Sequence, residues 1–271
     1  MLLTLLWACV DTPRECEGYG SPEAVGTLEN DELVEASGLA VSPEQAVAWS
    51  HNDKGDGARI FGVGLDGSDR GVWTLTGQTL EDAEDIAFDG EGRLVLGDIG
   101  DNNRSRDSIR LLRFAEPDAS TDGGAIGDIE EFELTYPGKI RDAESLAVDP
   151  STGNIYIFEK ANSGRVSVYR ADLPSGQLVE ETKIHVPGDG DMAVTAADFT
   201  PDGERLFLRT RDRVLVWTRG DSLSISGIFE SAACEAPVAD EEQGEALGAA
   251  SWGFLTVSEG ETPQVFRSDR Q

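Results

Sequence analysis

Five short segments of this chain place an oxygen-bearing side chain at the same position, and in three of them it is a glutamate. The segments are Glu35-Ala-Ser-Gly-Leu-Ala-Val41, Asp82-Ala-Glu-Asp-Ile-Ala-Phe88, Asp142-Ala-Glu-Ser-Leu-Ala-Val148, Ala193-Val-Thr-Ala-Ala-Asp-Phe199 and Gln243-Gly-Glu-Ala-Leu-Gly-Ala249. Aligned, one column holds Ser37, Glu84, Glu144, Thr195 and Glu245, at steps of 47, 60, 51 and 50 residues. Three carboxylates and two hydroxyls brought to one point are the donor set of a hard cation. Ca²⁺ takes six to eight oxygens at 2.3–2.6 Å and tolerates such a mixture, whereas Mg²⁺ asks for a tighter octahedron. With no Cys or His in the column, zinc and copper are disfavoured. The same side chains would also serve a water-filled pore, bonded to solvent and to backbone N–H groups.

Side chains this far apart in sequence converge only if repeated elements carry them to a common axis. A period near 50 residues with short strands is the mark of a propeller or another closed array. The expected fold is all-β, a five-bladed β-propeller of four-stranded antiparallel blades. First strands are placed at 37–41, 84–88, 144–148, 195–199 and 245–250. The turns Asp89-Gly-Glu-Gly92, Asp149-Pro-Ser-Thr-Gly153 and Thr200-Pro-Asp-Gly203 join first to second strands as hairpins. In blade 4 the outermost strand is placed at Ser222–Phe229. Blade 5 lacks its outer strand, and Thr27–Val34 is assigned to complete it. Residues 115–129 read as the longest loop, and no segment has a convincing helical period. Residues 1–20 form a leader and linker, and residues 21–271 a single domain.

The second strands end near His51, Asp98, Glu159, Thr210 and Ser258, at the same face as the column. Around that mouth lie candidate acids and bases, Asp53, Asp98 and Asp101, and candidate ligand contacts, His51, Asn102, Arg104, Lys160, Arg209 and Arg211. Carboxylates there could act as general base or as further cation ligands, and the basic residues could clamp a phosphate or carboxylate. They are also ordinary residues of polar turns. No Gly-x-Ser-x-Gly elbow accompanies His51, which argues against a serine hydrolase.

Acidic residues outnumber basic ones 52 to 22, for a net charge of −30. A surface of that sign repels nucleic acid and attracts cations, while the basic residues at the mouth make a small anionic ligand, or another protein, the expected partner of a monomer. The segment Leu6-Trp-Ala-Cys9 resembles a bacterial lipobox, with Cys9 the lipidated residue. It points to a secreted, periplasmic or cell-surface lipoprotein whose contact with the membrane is that anchor. Export would permit a disulfide between Cys16 and Cys234. The two become neighbours if the N-terminal strand closes the last blade, and otherwise remain buried thiols.

The order Ser, Glu, Glu, Thr, Glu, one residue from each of five blades, resembles the central calcium site of the calcium-activated apyrases. The likeness covers the five strand starts and the blade count. It implies a central Ca²⁺ held by Ser37, Glu84, Glu144, Thr195 and Glu245, and hydrolysis of nucleoside diphosphates and triphosphates. Elsewhere, Gly97-Asp-Ile-Gly-Asp-Asn102 is similar to a segment of secreted bacterial propellers. The function expected is a calcium-binding propeller acting as a ligand-binding module. The alternative is a calcium-dependent hydrolase of nucleotides or other phosphoesters at the channel mouth.

Overall fold

A computed structural model describes residues 12–271. Cys9 and the lipobox-like segment lie outside the described residues. The strands form five sheets of four or five strands, one per blade, in a closed ring. The first strands are Ala36–Val41, Ala83–Phe88, Ala143–Val148, Ala196–Phe199 and Gly244–Ala250. Within each blade the first and second strands pair antiparallel, and among the described strands parallel pairing occurs only where a fifth strand is added at the outer edge of blades 1 and 4. The three hairpin turns form as expected, with Gly92, Gly153 and Gly203 at φ of 76°, 72° and 71°, a region that costs glycine nothing.

The apolar interior is divided into five clusters, each lying between consecutive blades. Strand alternation explains this. Leu39 joins the cluster shared with blade 5, and its neighbour Ala40 the cluster shared with blade 2. Ile86 and Ala87 split in the same way between blades 1 and 3, and Leu146 and Ala147 between blades 2 and 4. Inner strands are buried on both faces, and they crowd toward the axis. Small residues meet that demand: a Cβ at Gly248 would press on the Leu39 backbone.

Two aspartates within the inner strands bond blade to blade. Asp85 accepts the N–H of Leu146 at 2.9 Å and of Ala197 at 3.2 Å, so one carboxyl ties blade 2 to blades 3 and 4. Asp198 accepts the Ala249 N–H at 2.8 Å, tying blade 4 to blade 5. Burial lifts the Asp85 carboxyl well above the ordinary range despite its N–H bonds, and pushes Asp198 to about 8.

Three expected details shift. The closing strand is Glu23–Thr27, antiparallel to Gln264–Asp269, rather than Thr27–Val34. The weak alternation of 27–34 belongs to a segment that buries Leu28 and Leu33 without extending as a strand. The fourth strand of blade 4 is Cys234–Ala236, and part of Ser222–Phe229 is the short helix Ile225–Ile228, capped by the Ser224 side chain on the Gly227 N–H. Residues 115–129 are also more than a loop. Gly124–Ile126 adds to blade 1, parallel to Trp73–Leu75, while Glu116 accepts the Trp49 indole N–H at 2.8 Å.

Cys16 and Cys234 are disulfide-bonded. Arg14–Glu15 pairs parallel with blade 4 just before the chain crosses to blade 5. The bridge therefore staples the N-terminal segment to blade 4, next to the closing strand. It also marks a chain of an oxidising, non-cytoplasmic compartment. Among the described residues no helix is long and apolar enough to cross a membrane.

Two outcomes are expected. Changing both cysteines to serine removes a cross-link spanning 218 residues, nominally worth about 5 kcal/mol. It should lower Tm and speed amide exchange in 23–27 and 264–269. Asp85 and Asp198 have folded values above their unfolded ones. The stability Asp198 confers is full below about pH 4 and is lost as pH rises toward 8, and the raised Asp85 carboxyl acts in the same direction. Calorimetry in calcium-free buffer should show Tm falling from pH 5 to pH 8.

Candidate functional site

The column is built by a repeated backbone irregularity. In blades 1, 2, 3 and 5 the pairing of first and second strands slips by one residue, between Ala36 and Gly38, Ala83 and Asp85, Ala143 and Ser145, and Gly244 and Ala246. The residue left over is Ser37, Glu84, Glu144 or Glu245. In blade 4, Thr195 and Ala196 both face Arg209. A bulge re-aims the side chain of its extra residue, and here it does so once per blade at the same end of the channel. All five residues are buried.

The five then divide. Ser37 Oγ donates to the Glu84 carbonyl of the next blade at 2.8 Å, and Thr195 Oγ1 to the Gly244 carbonyl at 3.2 Å. The hydroxyls thus clasp neighbouring blades and keep lone pairs free. Glu144 contacts the Lys160 ammonium. Glu245 pairs with Arg211 at 3.2 Å, and burial still raises its carboxyl above the ordinary range. Two of the three glutamates therefore have a cationic side chain of their own. Lys160 also lowers the proton affinity of Glu84, Glu245 and Asp53, so its charge acts on carboxylates of blades 1, 2 and 5 as well as its own.

The crowding left over concentrates beside Glu84. Asp53, Asp82 and Glu84 each bring a carboxylate oxygen within 4.8 Å of the others. Asp53 Oδ1 and Asp82 Oδ1 are buried without a hydrogen-bond partner. The other Asp82 oxygen meets Lys54 at 3.0 Å. Burial, with Asp53 and Asp82 nearby, holds the Glu84 carboxyl well above the usual range, and burial raises Asp53 as well. Gly100 makes room for the trio, since a Cβ there would overlap Glu84 Oε1 and crowd the Asp82 carboxyl. An all-oxygen set with two unsatisfied buried acceptors fits a hard cation.

The remaining mouth residues take separate tasks. Asp98 is fully buried and accepts from the Asp82 N–H at 2.9 Å, Arg106 at 3.0 Å and Arg110 at 2.5 Å. Burial opposes its charge, but these donors hold it below the ordinary range. It positions Asp82 and leaves little room for proton transfer. Asp101 accepts the Ser105 and Arg106 N–H groups at 2.9 and 2.8 Å, and its own N–H donates to Asp142 at 2.9 Å. It shapes its loop. His51 is buried against Gly38, with Nδ1 2.9 Å from the Asn52 carbonyl, and burial pushes it down to about 4. Arg209 is buried, donating to Glu241 at 2.6 Å and the Ala246 carbonyl at 2.7 Å. Asn102, Arg104 and Lys160 line one cleft between blades 2 and 3.

Sequence reasoning missed Asp82 as a site residue. A second column, two residues before the first, reads Glu35, Asp82, Asp142, Ala193 and Gln243. Residues two apart share a strand face, so this column was available. Glu259, which follows the end of the second strand of blade 5 at the mouth, carries a further shift. Burial, together with Glu245, Asp53 and Glu35, pushes it up to about 7.

No protein-family model matches the chain, and no curated protein matches it in sequence. Solved structures match its fold. An aldose sugar dehydrogenase from Streptomyces coelicolor, in its PQQ-bound form, is 11% identical over 96% of this chain and 100% of its own, with a TM-score of 0.52. A structural-genomics protein assigned as a gluconolactonase is 11% identical over 96% and 95%, with a TM-score of 0.52. A gluconolactonase from Xanthomonas campestris is 11% identical over 95% and 97%, with a TM-score of 0.48. At this identity the likeness shows the fold alone, and the resemblance to apyrases rests on the strand starts.

A raised Glu84 carboxyl holds its proton at pH values where an ordinary glutamate is ionised, and a cation has to displace that proton. Calcium added to chelator-stripped protein should therefore release protons. The apparent affinity should fall as pH drops from 8 to 5, measured by titration calorimetry in buffers of different ionisation enthalpy.

Proposed function

We propose that this protein is an exported, calcium-binding propeller that uses its channel mouth as a ligand-binding site, with Asp53, Asp82 and Glu84 holding the ion. The observation that carries the reading is the pair of buried, partnerless oxygens on Asp53 and Asp82 beside Glu84. Buried carboxylates this close need a proton or a cation between them. Calcium suits the irregular, all-oxygen set. Glu144, Glu245, Ser37 and Thr195 complete the surrounding ring, with Lys160 and Arg211 balancing the two glutamates farther from the trio. The disulfide supports export, and Cys9 would add a lipid anchor.

A second reading is hydrolysis at the same mouth. Asp53 favours it, being half-buried and raised in proton affinity; in this reading Asp82 and Glu84 hold the ion and the partnerless Asp53 oxygen serves as general base. When bound, the ion would polarise an oxygen and offset substrate charge. The chain's own residues would hold the substrate and accept the proton at Asp53. The structural neighbours add sugar lactones to the nucleotides and phosphoesters worth trying.

Titration calorimetry on the chelator-stripped protein should find one tight calcium site. Asp82→Asn with Glu84→Gln should weaken it at least tenfold, and an unchanged affinity would overturn the assignment. Turnover of a nucleoside diphosphate, a phosphomonoester or a sugar lactone that needs calcium and disappears in Asp53→Asn would establish the hydrolase. No turnover across that panel would leave the binding module.

A further inference from the structure

We propose that the cleft between blades 2 and 3 is an anion subsite that receives a phosphate or carboxylate group of a small polyanionic ligand. This deepens the ligand-binding reading above by naming the ligand's chemistry and the residues that meet it.

The first argument is charge. The chain carries 22 basic residues against 52 acidic ones. Five of those basic residues, Arg104, Arg141, Lys160, Arg165 and Lys183, line this one cleft of about 690 Å³. Its acidic lining is Asp142 and Glu159. Together they offset two of the five cations and leave three in excess in the lining. Glu159 is already paired with Arg141 at 3.0 Å, and one Asp142 oxygen accepts the Asp101 N–H at 2.9 Å. A volume of several hundred Å³ suits a small molecule. A local positive field on a protein of net −30 selects anions that the rest of the surface repels.

The second argument is which cations remain available. Arg141, Lys160 and Lys183 have carboxylate partners in Glu159, Glu144 and Glu180. Arg104 and Arg165 have none among the described residues, although acids are abundant. Arg104 sits at φ 52°, the left-handed region that a non-glycine residue adopts at a cost. Its backbone is held there by the turn in which its N–H donates to the Asp101 carbonyl at 2.8 Å, and by the Asp101 carboxyl, which anchors the next two residues. The loop thus gives an unpaired guanidinium a fixed point of departure at the rim. Guanidinium groups offer forked donors that match phosphate and carboxylate oxygens, and Asn102, Asn162 and Ser163 add polar lining for the body of the ligand.

Lys160 joins the two halves of the mouth. It lines the cleft while its ammonium meets Glu144 of the axial ring. An anion in the cleft competes with Glu144 for that ammonium. Drawing Lys160 outward removes positive charge from beside Glu84, so anion and calcium should favour each other, each raising the other's affinity by the same factor.

The test measures pyrophosphate and citrate binding by calorimetry in calcium-free, low-salt buffer, with glycerol as uncharged control. Wild-type protein should bind at least one of the two anions in the micromolar to low millimolar range. Arg104→Gln with Arg165→Gln should weaken that binding at least tenfold while leaving Tm and calcium affinity unchanged. Preference for pyrophosphate would identify a phosphate-bearing ligand, and preference for citrate a carboxylate-bearing one. Failure of wild type to bind either anion at 5 mM, or equal binding by the double variant, would overturn the subsite. Because these arms contain no calcium, their result is independent of the cation assignment, which fails separately if Asp82→Asn with Glu84→Gln keeps wild-type calcium affinity.

Discussion

Repulsion among buried carboxylates at one end of the channel is the constraint around which this molecule is arranged. A ring of blades keeps its apolar contacts between neighbours, as the five separate clusters show. Among the described residues these clusters lie between blades, so the polar groups that the inner strands project toward the axis are satisfied by polar means. Farther along those strands the means are backbone N–H groups, which take up Asp85 and Asp198 and stitch blades together. At the mouth the means are cations. Glu144 receives Lys160 and Glu245 receives Arg211, while Asp53, Asp82 and Glu84 are left with more oxygens than donors. The difference between the two ends separates acids satisfied by backbone donors from acids left without enough donors.

The same constraint explains the Gly97–Asn102 segment. Gly97 lets blade 3 approach, since a Cβ there would meet Leu146. Asp98 gathers Arg106 and Arg110 and fixes the Asp82 backbone. Ile99 is buried in the cluster between blades 2 and 3. Gly100 opens the space that Glu84 and Asp82 occupy, and Asp101 folds the loop that carries Arg104. Read alone, the acids of this segment suggest catalysis. In place, they shape a cluster whose partnerless oxygens belong to Asp53 and Asp82, outside this segment.

The blade count, the inner strands and the hairpin turns were legible because each rests on a local signal repeated five or three times. The closing strand was legible in kind and misplaced by a few residues. An edge strand gains little from side-chain burial, so 23–27 alternates no better than 27–34. The outer strand of blade 4 escaped because three residues around a disulfide carry too little pattern to outweigh the longer apolar run at 222–229. Within the site, the column was visible and its division was not. Which glutamate receives a lysine depends on where the second-strand loops return, and Lys160 and Arg211 lie 16 and 34 residues from their partners. His51 and Arg209 are both buried. Their types promise ligand contacts, yet proximity of a strand end to the mouth does not say which way a side chain points.

That last distinction bears on how a single scaffold separates opposite charges at one opening. Side chains at the starts of the inner strands converge on the axis, so a repeated acid there accumulates negative charge at a point. Loops after the second strands diverge from the axis, so each can carry its own sign. Blades 2 and 3 use theirs for arginines and lysine, and blade 1 contributes Asp53 to the axial side. The result is an electronegative centre with an electropositive flank, joined through Lys160. A ligand bearing an anionic group, and oxygens able to approach a cation, would be complementary to both halves at once. Neither half alone would distinguish it from a simple salt.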